Sequence, residues 1–275
     1  MEYLAKKSEK LIKFMIHNIQ GMSFGNAQKL IRLGKIKVNG ARCKDNIDIK
    51  NGDKIFVFDT QKSTPNIPIV YEDDNILIVN KPQGIECATR DKSSDNTYSL
   101  EEIFATKNAI CIHRLDRLTE GLVILARSKQ IAQKFETYFR NRKIEKFYQA
   151  MVYGQLNREG IDTAYLYKDS KNSLVKISAS PKDNYKEIIT EYKILKKSSN
   201  TLIDIKLHTG RTHQIRAYFA FLGNPVLNDS KYGNGKNMSD SYKGYYLTAY
   251  KLKFNLDDDM KYLNDLDIEI VPSWL

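Results

Sequence analysis

The amino-acid sequence predicts an α+β protein in two parts. A small α/β unit covers residues 1–60, and a larger unit over 69–275 is built on a mixed, largely antiparallel sheet. Three observations predict this. The chain has 275 residues, enough for one sizeable core and a small appended module. Residues 61–68 (QKSTPNIP) hold two prolines and no periodicity, which reads as a tether between domains. Beyond them strand-like and helix-like runs alternate, with strands the more frequent.

In the first unit, apolar residues at 11, 12, 14, 15, 16 and 19 mark a helix within Ser8–Ile19, ended by Gly21. Ser23 is placed to cap a second helix, Phe24–Leu33, with Gly34 at its end. Lys35–Gly40 alternates like a strand and closes on an Asn-Gly turn, and Lys54–Phe58 supplies another strand after Asn51-Gly-Asp53. Such a domain, about 50 residues, lies near the lower limit for a free-standing fold. In the larger unit, Ile76–Val79 reads as a buried strand and Glu101–Ala105 as a helix fragment. Leu122–Ala126 is a strand, and Gln130–Arg140 a helix with apolar residues at 131, 135, 138 and 139. Phe147–Tyr153 is a further strand, and Ile188–Leu195 and Leu202–Leu207 form a strand pair. Thr212–Leu222 is helical, with Arg216 either exposed or reaching into a site, and Tyr245–Leu252 is a late strand. Lys168–Lys182 is polar and basic, and reads as a loop that is either solvated or grips a polyanion.

Composition excludes several classes. No apolar stretch approaches the roughly 18 to 20 residues needed to span a bilayer, and the N-terminal segment has no signal-peptide pattern. A cytoplasmic, monomeric protein is expected. Cys43, Cys87 and Cys111 are odd in number and unpaired in spacing, so no disulfide framework is expected. The histidines at 17, 113, 208 and 213 lack zinc-ligand spacing, so no structural metal is expected. Net charge is +11, which points to a polyanionic partner, nucleic acid being the usual one. Residues 1–60 carry 12 Lys+Arg against 6 Asp+Glu, more than half of the excess in less than a quarter of the chain.

The pattern from Ala27 to Gly40, followed by Asn51-Gly-Asp-Lys-Ile55, resembles the RNA-binding module named after ribosomal protein S-four. The resemblance implies that the second helix and the following loop face RNA, with Lys29, Arg32, Lys35, Lys37 and Arg42 as phosphate-contact candidates. Lys29 and Arg32 share a helical face, and Lys35 and Lys37 a strand face. For any one of them, simple solvation of a small domain is the plain alternative.

The most informative string is Cys111-Ile-His-Arg-Leu-Asp-Arg-Leu-Thr-Glu-Gly121 with the apolar run behind it. Asp116 stands between Arg114 and Arg117. Nearby positive charge keeps such an acid ionised, a poor proton donor but a competent nucleophile or anchor. Two further strings accompany it: Lys146-Phe-Tyr148-Gln-Ala-Met-Val-Tyr-Gly154 and His208-Thr-Gly-Arg211-Thr-His213-Gln-Ile-Arg216. With the upstream Asn80-Lys-Pro-Gln-Gly84 and the downstream YYLTAYKLKF, they resemble the RluA-type pseudouridine synthases from about Ile69 to Leu256.

That resemblance implies the pseudouridine synthase fold and the isomerisation of uridine in RNA without cofactor or metal. Large-subunit ribosomal RNA is the expected substrate, with transfer RNA as the other possibility. Asp116 matches the catalytic aspartate, Tyr148 the aromatic that stacks on the extruded base, and Arg211 the arginine paired with the carboxylate. Arg114 matches the residue that fills the space left by the flipped base or contacts that base, and Leu247 an apolar wall of its pocket. His113, Arg117 and Thr119, in the same string as Asp116, are counted with the substrate-binding candidates. His213 and Tyr232 read as structural. The chemistry agrees with a cofactor-free site, because nothing is oxidised and no group enters or leaves. The chain has neither a GxxxxGK[ST] loop nor a GxGxxG turn. Four positions depart from the family pattern: Cys87 and Thr248 where histidine is usual, Asn228 where glycine is usual, and Glu120 where Ser or Thr is commoner. The rivals are the sister RsuA type, which His113 and the GRTHQIR string argue against, and a non-catalytic RNA-binding factor on the same scaffold. A DNA-binding regulator would need a groove-reading helix, and none is recognisable.

Overall fold

The computed structural model describes residues 2–19, 22–58, 65–88, 98–169, 174–233, 235, 242 and 244–275. Gly21, residues 61–64 of the predicted tether and residues 170–173 of the basic stretch lie outside the described residues. The chain divides into two compact units, Met1–Ser63 and Thr64–Leu275.

The first unit runs β1 (Glu2–Leu4), β2 (Glu9–Lys10), α1 (Leu11–Asn18), α2 (Phe24–Arg32), β3 (Ile36–Val38), β4 (Ala41–Cys43), β5 (Asp48–Ile49) and β6 (Lys54–Val57). Its sheet order is β1-β6-β3-β4, with β2 and β5 paired separately. Ser23 caps α2 by accepting the Asn26 N–H at 3.2 Å. Asn39 and Gly40, at φ 49° and 84°, form the left-handed turn that folds β4 back on β3. Leu11, Met15, Ala27, Ile31, Ile36 and Ile55 meet in its core.

The second unit runs β7 (Ile69–Glu72), β8 (Ile76–Lys81), α3 (Leu100–Ile103), β9 (Ile110–Cys111), β10 (Glu120–Ala126), α4 (Lys129–Arg140) and β11 (Ile144–Val152). It continues through β12 (Gly160–Asp169), β13 (Leu174–Ser178), β14 (Lys186–Lys197), β15 (Thr201–Leu207), α5 (Gln214–Phe221), β16 (Leu247–Phe254) and β17 (Ile268–Glu269). One sheet takes the order β13-β12-β14-β15-β11-β16-β10-β8-β7, with β9 on β10 and β17 on β16. Every pairing is antiparallel except β10 with β16, so the sheet is mixed. Within the predicted loop 168–182, Lys168 and Asp169 instead end β12 and Leu174–Ser178 form β13, with Tyr167 and Lys168 paired to Lys176 and Val175. Its polar side chains hid an edge strand, where only one face is buried. Ile67, read as part of the tether, is buried in the core of this unit.

Both faces of the central strands are covered. Leu77, Val79, Val123 and Leu125 pack on one side with Tyr218 and Phe219 of α5. Ile76, Ile78, Leu122 and Ile124 pack on the other with Phe135 and Tyr138 of α4. Successive strand residues face opposite ways, so a strand covered on both faces is apolar without interruption. Among the described residues no helix is long and apolar enough to cross a membrane.

Candidate active site

Asp116 lies in the turn that enters β10, where the Thr119 N–H closes on its carbonyl at 3.0 Å. Neither neighbouring arginine holds its carboxylate. Arg114 and Arg117 are exposed, and Arg117 Nε donates to the Gly84 carbonyl at 3.2 Å. The partner is Arg216, from the first turn of α5, whose Nη1 donates to Asp116 Oδ2 at 2.7 Å. The rest of that guanidinium is fully engaged. Nε and Nη2 fork onto Asp229 at 2.6 and 3.0 Å, and Nη2 also reaches Tyr245 Oη at 2.9 Å. Asp229 is completely buried and also accepts the backbone N–H groups of Lys231 and Tyr232 at 3.0 and 3.2 Å. A bidentate arginine with low exposure is a fixed donor, and Asp116 meets a cation that cannot swing away.

His213 precedes α5 in the left-handed region, φ 54°, which few non-glycine residues adopt. Its Nδ1 lies 2.8 Å from Tyr232 Oη, and its Nε2 lies 3.7 Å from Asp116 Oδ1. The Val175 N–H also donates to Tyr232 Oη at 3.1 Å. In the tautomer where Tyr232 Oη donates to Nδ1, the Nε2–H faces Asp116. Burial holds the His213 ring below the usual histidine range. His213, read as structural, therefore stands beside the carboxylate, and Tyr232 stands behind it against the imidazole and the Arg216 guanidinium.

Asp116 opens on two adjoining cavities, of about 670 and 590 Å³. The larger takes in Tyr148, Lys146, Lys168, Arg211, His213 and Lys231, and the other Glu86, Arg117, Arg216 and Tyr245. Either is in the size range of small-molecule sites. A small recess of about 70 Å³ adjoins Asp116, with Tyr148, Thr119, Ile215 and Leu247 among its walls. Tyr148 is 7% exposed, and burial raises its phenol pKa, followed by the charge of Asp116. Its hydroxyl makes no hydrogen bond to a described residue.

The sequence-predicted residues are placed as follows. Asp116, Tyr148, Arg114, Leu247, Thr119 and Arg211 share the recess, but Arg211 is not the carboxylate's partner. It precedes α5, is exposed, and its backbone N–H donates to Gln214 Oε1 at 3.1 Å. The helix begins three residues after it, and Arg216 is the residue turned inward. His113 borders the larger cavity, yet its Nε2 accepts the Ile124 N–H at 3.0 Å and its ring packs on Phe139. Burial lowers its pKa to about 3, so it is a neutral brace for the turn and not a polar substrate contact. Thr119 is 3% exposed, and its Oγ1 has no hydrogen-bond partner among the described residues. Sequence reasoning missed Asp229 and Tyr245; the repeated arginine of the GRTHQIR string was the available signal for Arg216.

The upstream NKPQG string buttresses the same turn. Lys81, wholly buried, donates to the carbonyls of Pro82, Ile85 and Arg117 at 3.1, 2.9 and 3.3 Å. Burial lowers its pKa to about 8. Gly84 N–H donates to the Arg117 carbonyl at 2.8 Å. The departures from the family pattern are accommodated locally. Cys87 Sγ accepts the Leu115 N–H at 3.3 Å, and a hydrogen bond from Cys111 lowers its pKa to about 7. Asn228 keeps φ 63°, a conformation asparagine tolerates almost as glycine does. Glu120 and Thr248 bond each other at 2.8 Å.

In the first unit a separate cleft of about 380 Å³ is lined by Lys29, Arg32 and Lys44. Lys35, Lys37 and Arg42 are not among its lining residues. Lys37 lies 5.4 Å from the Phe58 ring and faces Arg42 across the β3–β4 hairpin. Among the described residues no cluster of His, Cys, Asp or Glu is arranged to hold a metal.

A carboxylate held by a fixed guanidinium, beside a buried tyrosine and opening on cavities rich in cations, defines an enzyme site shaped for a polyanion. The sequence profile of the RNA pseudouridylate synthase family matches residues 75–221. An RNA pseudouridine synthase of Mycoplasma capricolum subsp. capricolum is 34% identical, covering 98% of this chain and 96% of its own. The ribosomal large subunit pseudouridine synthase C of Rickettsia bellii is 29% identical, over 84% of this chain and 85% of its own. Among solved structures, human RNA pseudouridylate synthase domain containing 1 matches in fold with a TM-score of 0.64. That match covers 78% of this chain and 86% of the human one at 23% identity. The chain belongs to the RNA pseudouridylate synthase family and is an RNA pseudouridine synthase of the RluA type.

Proposed function

We propose that this enzyme isomerises specific uridines of large-subunit ribosomal RNA, with Asp116 acting at the glycosidic bond. The relatives named ribosomal large subunit pseudouridine synthase C support the substrate. The observation that carries the mechanism is the Asp116–Arg216 pair at 2.7 Å, on a recess shared with Tyr148 and Leu247.

The target atoms are hidden in stacked RNA, so the nucleotide is flipped into the cavity at a cost of a few kcal/mol. Phosphate contacts offset that cost. Asp116 attacks C1′ of the sugar or sets off elimination there, and the N1–C1′ bond breaks with its electron pair on N1. The uracil turns and C5 bonds to C1′ as the Asp116–C1′ ester breaks and frees the carboxylate, or, on the elimination route, as the C2′ proton that Asp116 took is returned. The C5 proton leaves and N1 takes one up, so the product is an isomer. Arg216 holds the carboxylate in line and, tied to Asp229 and Tyr245, needs no reorganisation as charge shifts. Tyr148 rests as the neutral phenol, so its first contribution is a stacking face under the base. The first unit, whose cleft carries Lys29, Arg32 and Lys44, serves as the RNA-binding module.

Asp116→Ala is expected to abolish conversion of uridine in unmodified ribosomal RNA while leaving RNA affinity within about twofold. Conversion is read by pseudouridine mapping of treated and untreated RNA. Retained conversion in that variant removes Asp116 from this role.

A further inference from the structure

We propose that Lys146 binds a phosphodiester flanking the flipped uridine, which makes the larger cavity a nucleotide site and not a base site alone. The proposal rests on reading that cavity as the seat of the target uridine.

Lys146 and Tyr148 stand two residues apart on β11 and line the same cavity. The ammonium is largely withdrawn from water. Its Nζ lies 5.2 Å from the centre of the Phe139 ring, and a Cβ built on Gly210 would come within 3.4 Å of it. Leu207 faces it in register from β15. Among the described residues no carboxylate pairs with Lys146. Glu145, its neighbour, pairs with Lys206. Burial lowers the Lys146 pKa, with no acid opposing the shift. An ammonium held out of water without a counter-charge is costly, and an aromatic face compensates only part of that. The surrounding cavity repeats the imbalance. Among the described residues, Arg114, Lys168, Arg211 and Lys231 line it against one carboxylate, Asp116, which Arg216 already holds. A neutral uracil cannot supply the missing charge. The phosphodiester that travels with the flipped nucleotide can, through charge-assisted hydrogen bonds to Nζ.

The test uses uridine 3′,5′-bisphosphate and uridine as probes, with binding to the full chain measured by calorimetry at low salt. Wild-type protein is expected to bind the bisphosphate about tenfold or more tightly than uridine, and Lys146→Gln to lose most of that preference. Lys146→Met, which keeps the apolar stem, is expected to behave as Lys146→Gln does. No preference in the wild type, or the same preference in both variants, overturns the proposal. In parallel, release of tritium from uridine C5 in a large-subunit ribosomal RNA transcript reads turnover. There Lys146→Gln is expected to raise KM about tenfold with kcat within about twofold, and to lower the slope of log KM against log salt by about one. A fall in kcat at unchanged KM overturns the phosphate role, because it marks a group acting on the reacting atoms. A wild-type protein that releases no tritium from this transcript counts against the substrate reading, while the nucleotide probes still decide Lys146.

Discussion

Arg211 and Arg216 are five positions apart in one string, and their environments could hardly differ more. Arg211 is exposed ahead of α5, whereas Arg216 is 3% exposed and shared between Asp116, Asp229 and Tyr245. Removing one partner of a buried ion pair leaves the other charge stranded. Arg216→Gln strands Asp229, so a loss of about 3–5 kcal/mol in stability is expected along with loss of turnover. Arg211→Gln is expected to change stability by less than about 0.5 kcal/mol and to act mainly on RNA affinity. Urea denaturation and turnover assays on the two variants separate them. Comparable losses from both would put the carboxylate's partner in doubt. Asp116 itself was legible, since its flanking string marks it. Its partner was not, because the spacing of a string does not say where a helix begins, and that start decides which arginine faces inward.

The parallel contact of β10 with β16 sets where the Asp116 turn ends. Glu120 pairs in register with Thr248 and Gly121 with Ala249. At Gly121, φ is 122°, and a Cβ would overlap the Ala249 backbone. Gly121→Ala is therefore expected to cost about 3 kcal/mol or more, measured by denaturation. Gly40→Ala is the control. There φ is 84° but the space is open, and about 1 kcal/mol is expected. Similar costs at the two sites would mean that the close approach of the strands is not what demands glycine at 121. Beneath the junction Glu120 accepts from Ser273 Oγ at 2.6 Å and Ser273 N at 2.9 Å, while Trp274 Nε1 donates to Thr248 Oγ1 at 2.8 Å. Glu120 and Thr248, both off the family pattern, thus bond within one network. Neither substitution could be interpreted from its own position, because the residues that bond them are 153 and 26 positions away.

Charge is the property that extends over the entire chain. A little over half of the net +11 lies in the first 60 residues, and the cavities around Asp116 carry their own cations. Association with RNA releases counterions in proportion to the phosphates neutralised. Removal of residues 1–63 is expected to weaken RNA binding and flatten its salt dependence by about 0.7–0.9 in slope for each phosphate no longer neutralised. Titrations at several salt concentrations measure this. An unchanged slope would mean that the first unit engages something other than the RNA backbone.

Composition, periodicity and the spaced strings by themselves determined the α+β class, the buried strand at Ile76–Val79 and the basic first unit, and they marked Asp116 and Tyr148 as candidates. These are properties of local pattern, and a side-chain period or a cluster of unlike residues survives without coordinates. Tertiary structure alone decided that Arg216 holds Asp116, that His213 stands beside it with Tyr232 behind, that His113 is a neutral brace, and that no carboxylate among the described residues pairs with Lys146. Each depends on which groups share a desolvated space, whether 11 positions apart, as His113 and Ile124 are, or 100, as Asp116 and Arg216 are. In such a space, where water no longer screens, charge and hydrogen bonding acquire their strength.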